Sequence, residues 1–274
     1  MSSQMSSWEV PVGQKLRQAP VYFTLAQARF NPVLALDAYV PKIQDQLRRQ
    51  GYPDVKKGML ATFNLNVASR VEEDAPRVPV SQTMRYAFSN IDKTEGFILD
   101  QAALSYQTTE YETFESFAKT FLEGLEIVHE AVNLSYTDRI GLRYLDAVFP
   151  RSNEGLSEYL SEAVLGLYGK LNGSLVHAFS ETVIKNDART VVARTILQNG
   201  AIGFPPDLQP MELQVPERFR TLSGPHAILD TDGSHGHRDV FDLNQIRTHL
   251  TEVHSAVNEA FKAIVTDRAI QIWE

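Results

Sequence analysis

The chain alternates between stretches of period two and stretches of period three to four. Residues 21–30 alternate, with Tyr22, Thr24, Ala26 and Ala28 on one side and Val21, Phe23, Leu25, Gln27 and Arg29 on the other. That pattern predicts a strand, stopped by Asn31-Pro32. Residues 36–50 read as a helix; Pro41 is expected in its first turn, and if the helix starts earlier the proline costs it one hydrogen bond. Its last residues include Arg48 and Arg49, which suit the negative end of the helix dipole. Strands are expected at 58–68, 84–89, 96–100 and 104–108, and an acidic, proline-bearing loop at 71–79. A long helix follows, because Phe114, Phe117, Phe121, Leu125, Val128 and Val132 recur at helical spacing and trace one apolar stripe. Residues 139–148 alternate again, so the first half is expected to run β-α-β-β-β-β-α-β.

Pro150, Arg151, Ser152 and Asn153 break the pattern and mark the best boundary. Beyond it the sequence predicts a helix at 155–166 and a hairpin of 175–184 with 190–197, joined by Lys185-Asn186-Asp187-Ala188. A proline-rich segment without periodicity occupies 201–225, followed by a strand at 226–230 and a polar loop. A closing helix carries Leu243, Ile246, Leu250, Val253, Val257, Phe261 and Ile264 on one stripe, with Asp242 and Gln245 placed as a capping box.

The two halves echo one another. Ile98-Leu99-Asp100 and Ile228-Leu229-Asp230 each precede a long helix, and each helix is followed by Thr-Asp-Arg, at Thr137-Asp138-Arg139 and Thr266-Asp267-Arg268. Glu123, Val128, Glu130 and Ala131 fall on Glu252, Val257, Glu259 and Ala260 at one offset. The expected fold is α+β: two related lobes from an internal duplication, each an antiparallel sheet packed by long amphipathic helices. The division reads as a polar N-terminal segment at 1–18, a first lobe at 19–149 and a second at 150–274, in one compact body. For the repeated Thr-Asp, capping of a new element is the favoured role.

Composition narrows the chemistry. With 274 residues, 43% of them apolar, the chain can bury a sizeable core unaided. It has no cysteine, which removes disulfides, thiolate metal sites and cysteine nucleophiles. The net charge of −8 speaks against a broad phosphate-binding surface and so against nucleic acid as partner. Neither a signal-like opening nor an apolar run near the ~18 residues of a membrane span is found, so a cytoplasmic protein without a membrane partner is expected.

Ala19-Pro20-Val21-Tyr22-Phe23 leading into Arg29-Phe30, then Gly141-Leu142-Arg143-Tyr144, Ile228-Leu229-Asp230 and the closing 261–273 resemble the signature stretches of an uncharacterised, sporadically distributed bacterial family. The resemblance implies no activity, cofactor or catalytic residue. Its scattered distribution implies an accessory role in a mobile-element or defence system.

The densest polar cluster is His226, Asp230, Asp232, His235, His237 and Asp239. Imidazole and carboxylate donors on a loop can hold a divalent ion, which makes Asp230, Asp232, His235, His237 and Asp239 the candidate metal ligands. Gly233 stands fourth from Asp230, where a helix-loop-helix calcium loop needs glycine sixth, and the turn residues have an ordinary backbone explanation. Glu126 and His129 form one Glu-x-x-His pair where a di-iron bundle needs two. His249 and His254 lie about 140° apart around a helix and cannot chelate together, and His254 and His177 read as structural. Arg29, Arg85, Arg143 and Arg194 fall on predicted strands, where pairing with acidic neighbours is the usual role. Neither a phosphate-cradling glycine loop nor a Gly-x-Ser-x-Gly elbow occurs.

Without a complete catalytic motif, the reading is a non-enzymatic binding or assembly protein with a protein partner or a second copy. Phe204, Met211, Leu213 and Phe219 in the proline-rich segment are the candidate contacts, either covering their own sheet or docking into the partner. The alternative is a metal-dependent hydrolase using the His/Asp cluster; no other cofactor is expected.

Overall fold

The computed structural model describes residues 18–63, 80–208 and 213–274. The end of the strand expected at 58–68, the acidic loop at 71–79, nearly all of the segment 1–18 and Met211 lie outside these residues. The elements are β1 (Val21–Phe30), α1 (Leu36–Arg49), β2 (Asp54–Phe63), β3 (Val80–Ser89), β4 (Glu95–Leu99), β5 (Ala103–Thr108), α2 (Phe114–Val132) and β6 (Tyr136–Val148). The first half therefore has the order its periodicity predicts. The second half contains α3 (Glu162–Leu165), β7 (His177–Asn186), β8 (Arg189–Ala201), α4 (Glu217–Arg220), β9 (Ser223–His235), β10 (Asp239–Val240), α5 (Leu243–Ile264) and α6 (Asp267–Trp273).

The ten strands of the described residues join one sheet in the order β2-β3-β4-β5-β1-β6-β9-β8-β7, with β10 on the end of β6. Every pairing between these strands is antiparallel. The fold is thus α+β, and a single sheet runs through both halves of the chain. They meet at β6, whose two edges are both taken: Leu142 faces Ala26 of β1 on one side and Gly233 of β9 on the other.

Helices α1, α2, α5 and α6 lie on one face of this sheet, called here the helix face, and the short α4 packs Phe219 on the other. Phe117, Phe121, Leu125 and Val128 of α2 are buried with Ile246, Leu250, Val253 and Val257 of α5, Ile43 and Leu47 of α1, and Ala26, Ala28, Phe97 and Leu104 of the sheet. These are the apolar stripes read from spacing, and burying them contributes roughly 1.5–3 kcal/mol for each large side chain. A second cluster sets Ile264, Ala269 and Trp273 against Val148, Leu197 and Leu229. Caps fix the helix starts: Asp242 accepts from the Asn244 amide at 2.7 Å, and Thr113 from the Ser116 amide at 3.2 Å.

Three local expectations change. Pro41, expected in a first turn, stands inside α1, which begins at Leu36, and its missing N–H costs the helix one hydrogen bond. The helix expected at 155–166 is a 3-10 turn (Leu156–Glu158) followed by the four-residue α3. Its backbone bonds outward instead: the Ser161 amide donates to Ile264 at 2.7 Å, and the Thr266 amide to Tyr159 at 2.9 Å. The two Thr-Asp-Arg trios also part ways. Thr266 caps α6 through the Ala269 amide at 3.2 Å, as capping predicts, whereas Thr137 is buried within β6 and starts nothing.

Gly233 sets how closely α5 lies on the sheet. A Cβ there would come within 2.7 Å of the Val257 side chain and 2.8 Å of Val253. Gly233→Ala is expected to cost about 1–3 kcal/mol through overpacking. Urea unfolding measures this, and a change below ~0.5 kcal/mol would mean the helix lifts freely.

Candidate functional site

The cluster that sequence groups at 226–239 is divided by the sheet. Sequence reading ends the strand at Asp230, but β9 continues to His235 because β6 and β8 pair with it on both sides. Side chains of a strand alternate. Asp230 and Asp232 therefore project from the open face, away from the helices, while Gly233 and His235 lie on the helix face. The five candidate metal ligands are thus divided, with Asp230 and Asp232 on the opposite face of the sheet from His235. His226 is also apart, stacked on Phe149 with ring centroids 4.5 Å apart and its Nε2 2.9 Å from the Gln198 side-chain nitrogen.

On the open face the carboxylates and strand arginines form a ladder. Arg143 donates to Asp230 at 2.7 and 2.8 Å, and to Asp207 at 2.7 and 3.1 Å, so one guanidinium is gripped in bidentate fashion by two carboxylates. Arg194 donates to the same Asp230 at 3.2 Å and to Glu181 at 2.6 Å. The ladder spans β7, β8, β9 and β6 and ends on the loop after β8. Burial works against the Arg143 charge, but the bonds to Asp230 and Asp207 outweigh it and hold the guanidinium protonated. Arg143 in turn holds the Asp207 carboxyl below its ordinary value. Arg29 pairs with Asp138 at 2.8 Å and Arg85 with Asp100 at 3.7 Å. All four strand arginines thus pair with acidic neighbours.

Beside the ladder lies a cleft of about 210 Å³, lined by Gln27, Arg85, Asp100, Arg139, Arg143 and Asp232 among others. Arg139 is loosely held, donating to the Gln27 side-chain Oε1 at 3.4 Å and lying 4.0 Å from Asp232. Burial pushes the Asp232 carboxyl up. The lining carries both signs and largely neutralises itself. Its lining, which also includes Ser105 and Gln107, is predominantly polar.

The segment after β8 closes the other end of the open face. A register shift between Val21 and Phe23 of β1 brings Tyr22 and Phe23 to this side. Phe204 packs tilted against Tyr22 and edge-on against Phe23, with ring centroids 5.5 and 5.4 Å apart, and the Tyr22 hydroxyl donates to the Gly203 carbonyl at 2.7 Å. Phe219 is buried and Leu213 partly buried in the same cluster. Of the two roles open to Phe204, Leu213 and Phe219, the structure places them on their own sheet.

On the helix face, sequence reading missed one partner. His249 of α5 meets His235 of β9 and Asp239 of β10, with one ligand atom from each lying within 4.8 Å of the others. The two imidazoles stack with centroids 3.7 Å apart. Asp239 sits between His237, whose Nδ1 is 2.9 Å from Oδ1, and His249, whose Nε2 is 3.4 Å from Oδ2 but not aligned for a hydrogen bond. Burial pushes the Asp239 carboxyl up, but the hydrogen bond from His237 and the surrounding imidazoles bring it below its ordinary value. The signal for His249 was its place on the helix, between the buried Ile246 and Leu250. His254 is structural, bonded to the Tyr144 hydroxyl at 3.1 Å and stacked on Phe114. Glu126 is exposed, and His129 stacks under Phe241.

No family model matches the chain, and no curated protein or solved structure resembles it. Among the described residues, no helix is long and apolar enough to cross a membrane.

Proposed function

We propose that this is a non-enzymatic assembly protein that pairs with a second copy of itself through the outer edge of β7. One observation carries the reading. Among the described residues, β7 is a ten-residue edge strand paired only with β8, and most of its side chains are exposed. Phe179, Val183 and Ile184 are among its exposed residues. An edge of this length with apolar side chains is a template for another strand unless charges guard it. At the opposite edge, β2 opens with Asp54, Lys56 and Lys57. On β7, Glu181 is neutralised by Arg194 and Lys185 lies beside the turn.

A second copy is the favoured occupant because a two-fold axis pairs like strands in antiparallel fashion and so continues an antiparallel sheet without a new motif. The two halves of the chain belong to this proposal as related units, since α2 and α5 occupy comparable places on the helix face. The family resemblance supports an accessory role in a bacterial mobile-element or defence system, and a cytoplasmic setting goes with it. The hydrolase alternative is left with His235, His237 and Asp239 of its expected ligands.

Light scattering coupled to size exclusion tests the proposal. The expected particle has twice the 30.8 kDa chain mass. Phe179→Lys with Val183→Lys, which puts charge on the edge, is expected to return it to the monomer with unchanged far-UV circular dichroism. A wild-type monomer at high concentration would sink the proposal, as would a dimer indifferent to the double substitution.

A further inference from the structure

We infer that His235, Asp239 and His249 bind a divalent transition-metal ion, zinc being the best match to their donors. The three residues come from the end of β9, from β10 and from the second turn of α5, and one ligand atom of each lies within 4.8 Å of the others. Two imidazoles and one carboxylate suit zinc and its first-row neighbours, whereas calcium and magnesium take all-oxygen sites.

The nitrogens show that the cluster is not explained by ordinary hydrogen bonding. His235 Nδ1 and both ring nitrogens of His249 are buried without a hydrogen-bond partner. Buried imidazole nitrogens normally find one, and a lone pair turned onto a cation meets the same need. The stacked rings have nearly parallel planes, 13° apart, so their lone pairs do not yet converge. The final torsion of each ring is soft, so an ion would need only ring rotation to draw them onto itself. Asp239 has the support a metal-binding carboxylate commonly has: His237 holds its Oδ1 at 2.9 Å and leaves Oδ2 toward His249. With three protein donors, a tetrahedral ion keeps one position for water. The ion would fasten the end of β9 and the short β10 to α5.

The test uses the full chain, expressed without a metal-affinity tag and stripped with chelator. Titration calorimetry with zinc chloride is expected to show one ion per chain, and cobalt chloride to give the visible absorption of a four- or five-coordinate site. Asp239→Asn and His249→Gln should each weaken binding by more than the roughly 10- to 100-fold that loss of a supporting hydrogen bond costs. His177→Ala, on exposed β7, should leave it unchanged. Circular dichroism checks that each variant is folded, and Asp239→Asn, on a two-residue strand, stands if His249→Gln fails to fold. The inference is overturned by no stoichiometric binding of zinc, cobalt or manganese, by binding that survives both substitutions, or by binding that His177→Ala weakens equally.

Discussion

Arg143→Met is expected to lower the unfolding free energy by about 3–5 kcal/mol. The side chain is nearly buried, and its partner Asp230 has no exposed surface at all. Methionine fills much of the arginine's volume but leaves the Asp230 carboxylate facing Arg194 alone, at 3.2 Å. A buried charge that loses its main partner bears its desolvation uncompensated, which far exceeds the net worth of the intact pair. Asp207→Ala serves as the contrast, because its side chain is 61% exposed and water takes over its role. That change is expected to cost under ~1 kcal/mol. Arg143→Met combined with Asp230→Leu should recover much of the loss, since both ends of the buried pair are then gone. Urea unfolding of the four proteins decides the matter: a cost for Arg143→Met as small as that for Asp207→Ala would mean the ladder is solvated.

The second large effect is a dependence on pH. Burial pushes the Asp146 carboxyl up to about 7, whereas in the unfolded chain it titrates near the ordinary aspartate value of about 3.9. Between those values the folded protein keeps a proton that the unfolded chain has released. Stability from this group is therefore whole below about pH 4 and falls as pH rises toward 7, by up to ~1.4 kcal/mol per unit. Above that range the loss is complete and flat. Carboxyls held low, such as Asp207 and Asp239, act in the opposite sense and lose their contribution as pH falls. The quantity to measure is thus the difference between wild type and Asp146→Asn in urea unfolding across the window. Asparagine cannot ionise, so the variant should gain on the wild type as pH rises. Parallel curves would show that Asp146 titrates normally.

Much of the fold was legible because its rules are local. The alternation in 21–30 and the stripes of α2 and α5 each demand one buried face, whatever lies opposite. The site was less legible because its rules are distant. Thr231, Asp232, Gly233 and Ser234 have turn-forming chemistry, and only pairing with β6 and β8 holds them extended; tertiary context overrode propensity there. Once they are extended, alternation separates Asp232 from His235, and a cluster compact in sequence becomes two sites on opposite faces. Acidic partners for the strand arginines were foreseeable in kind. That Arg143 would reach Asp207 on a loop was not, since periodicity says nothing of where a proline-rich segment returns. His249 needed the register of α5 against β9, a fact about two elements that neither one carries.

The place of β6 has a consequence for how the chain is made. The six strands β1 to β6 lie in the N-terminal half and are neighbours in the sheet, so they can assemble as soon as that half has emerged. The far edge of β6 then waits for β9, which ends at His235. At roughly 5–20 residues per second of synthesis, the wait is on the order of ten seconds. Throughout it, nine residues of β6 backbone lack their β9 partner, and the rings of Tyr22 and Phe23 lack Phe204 and Phe219. A ribosome that stalls in this interval would hold the nascent chain at its most adhesive.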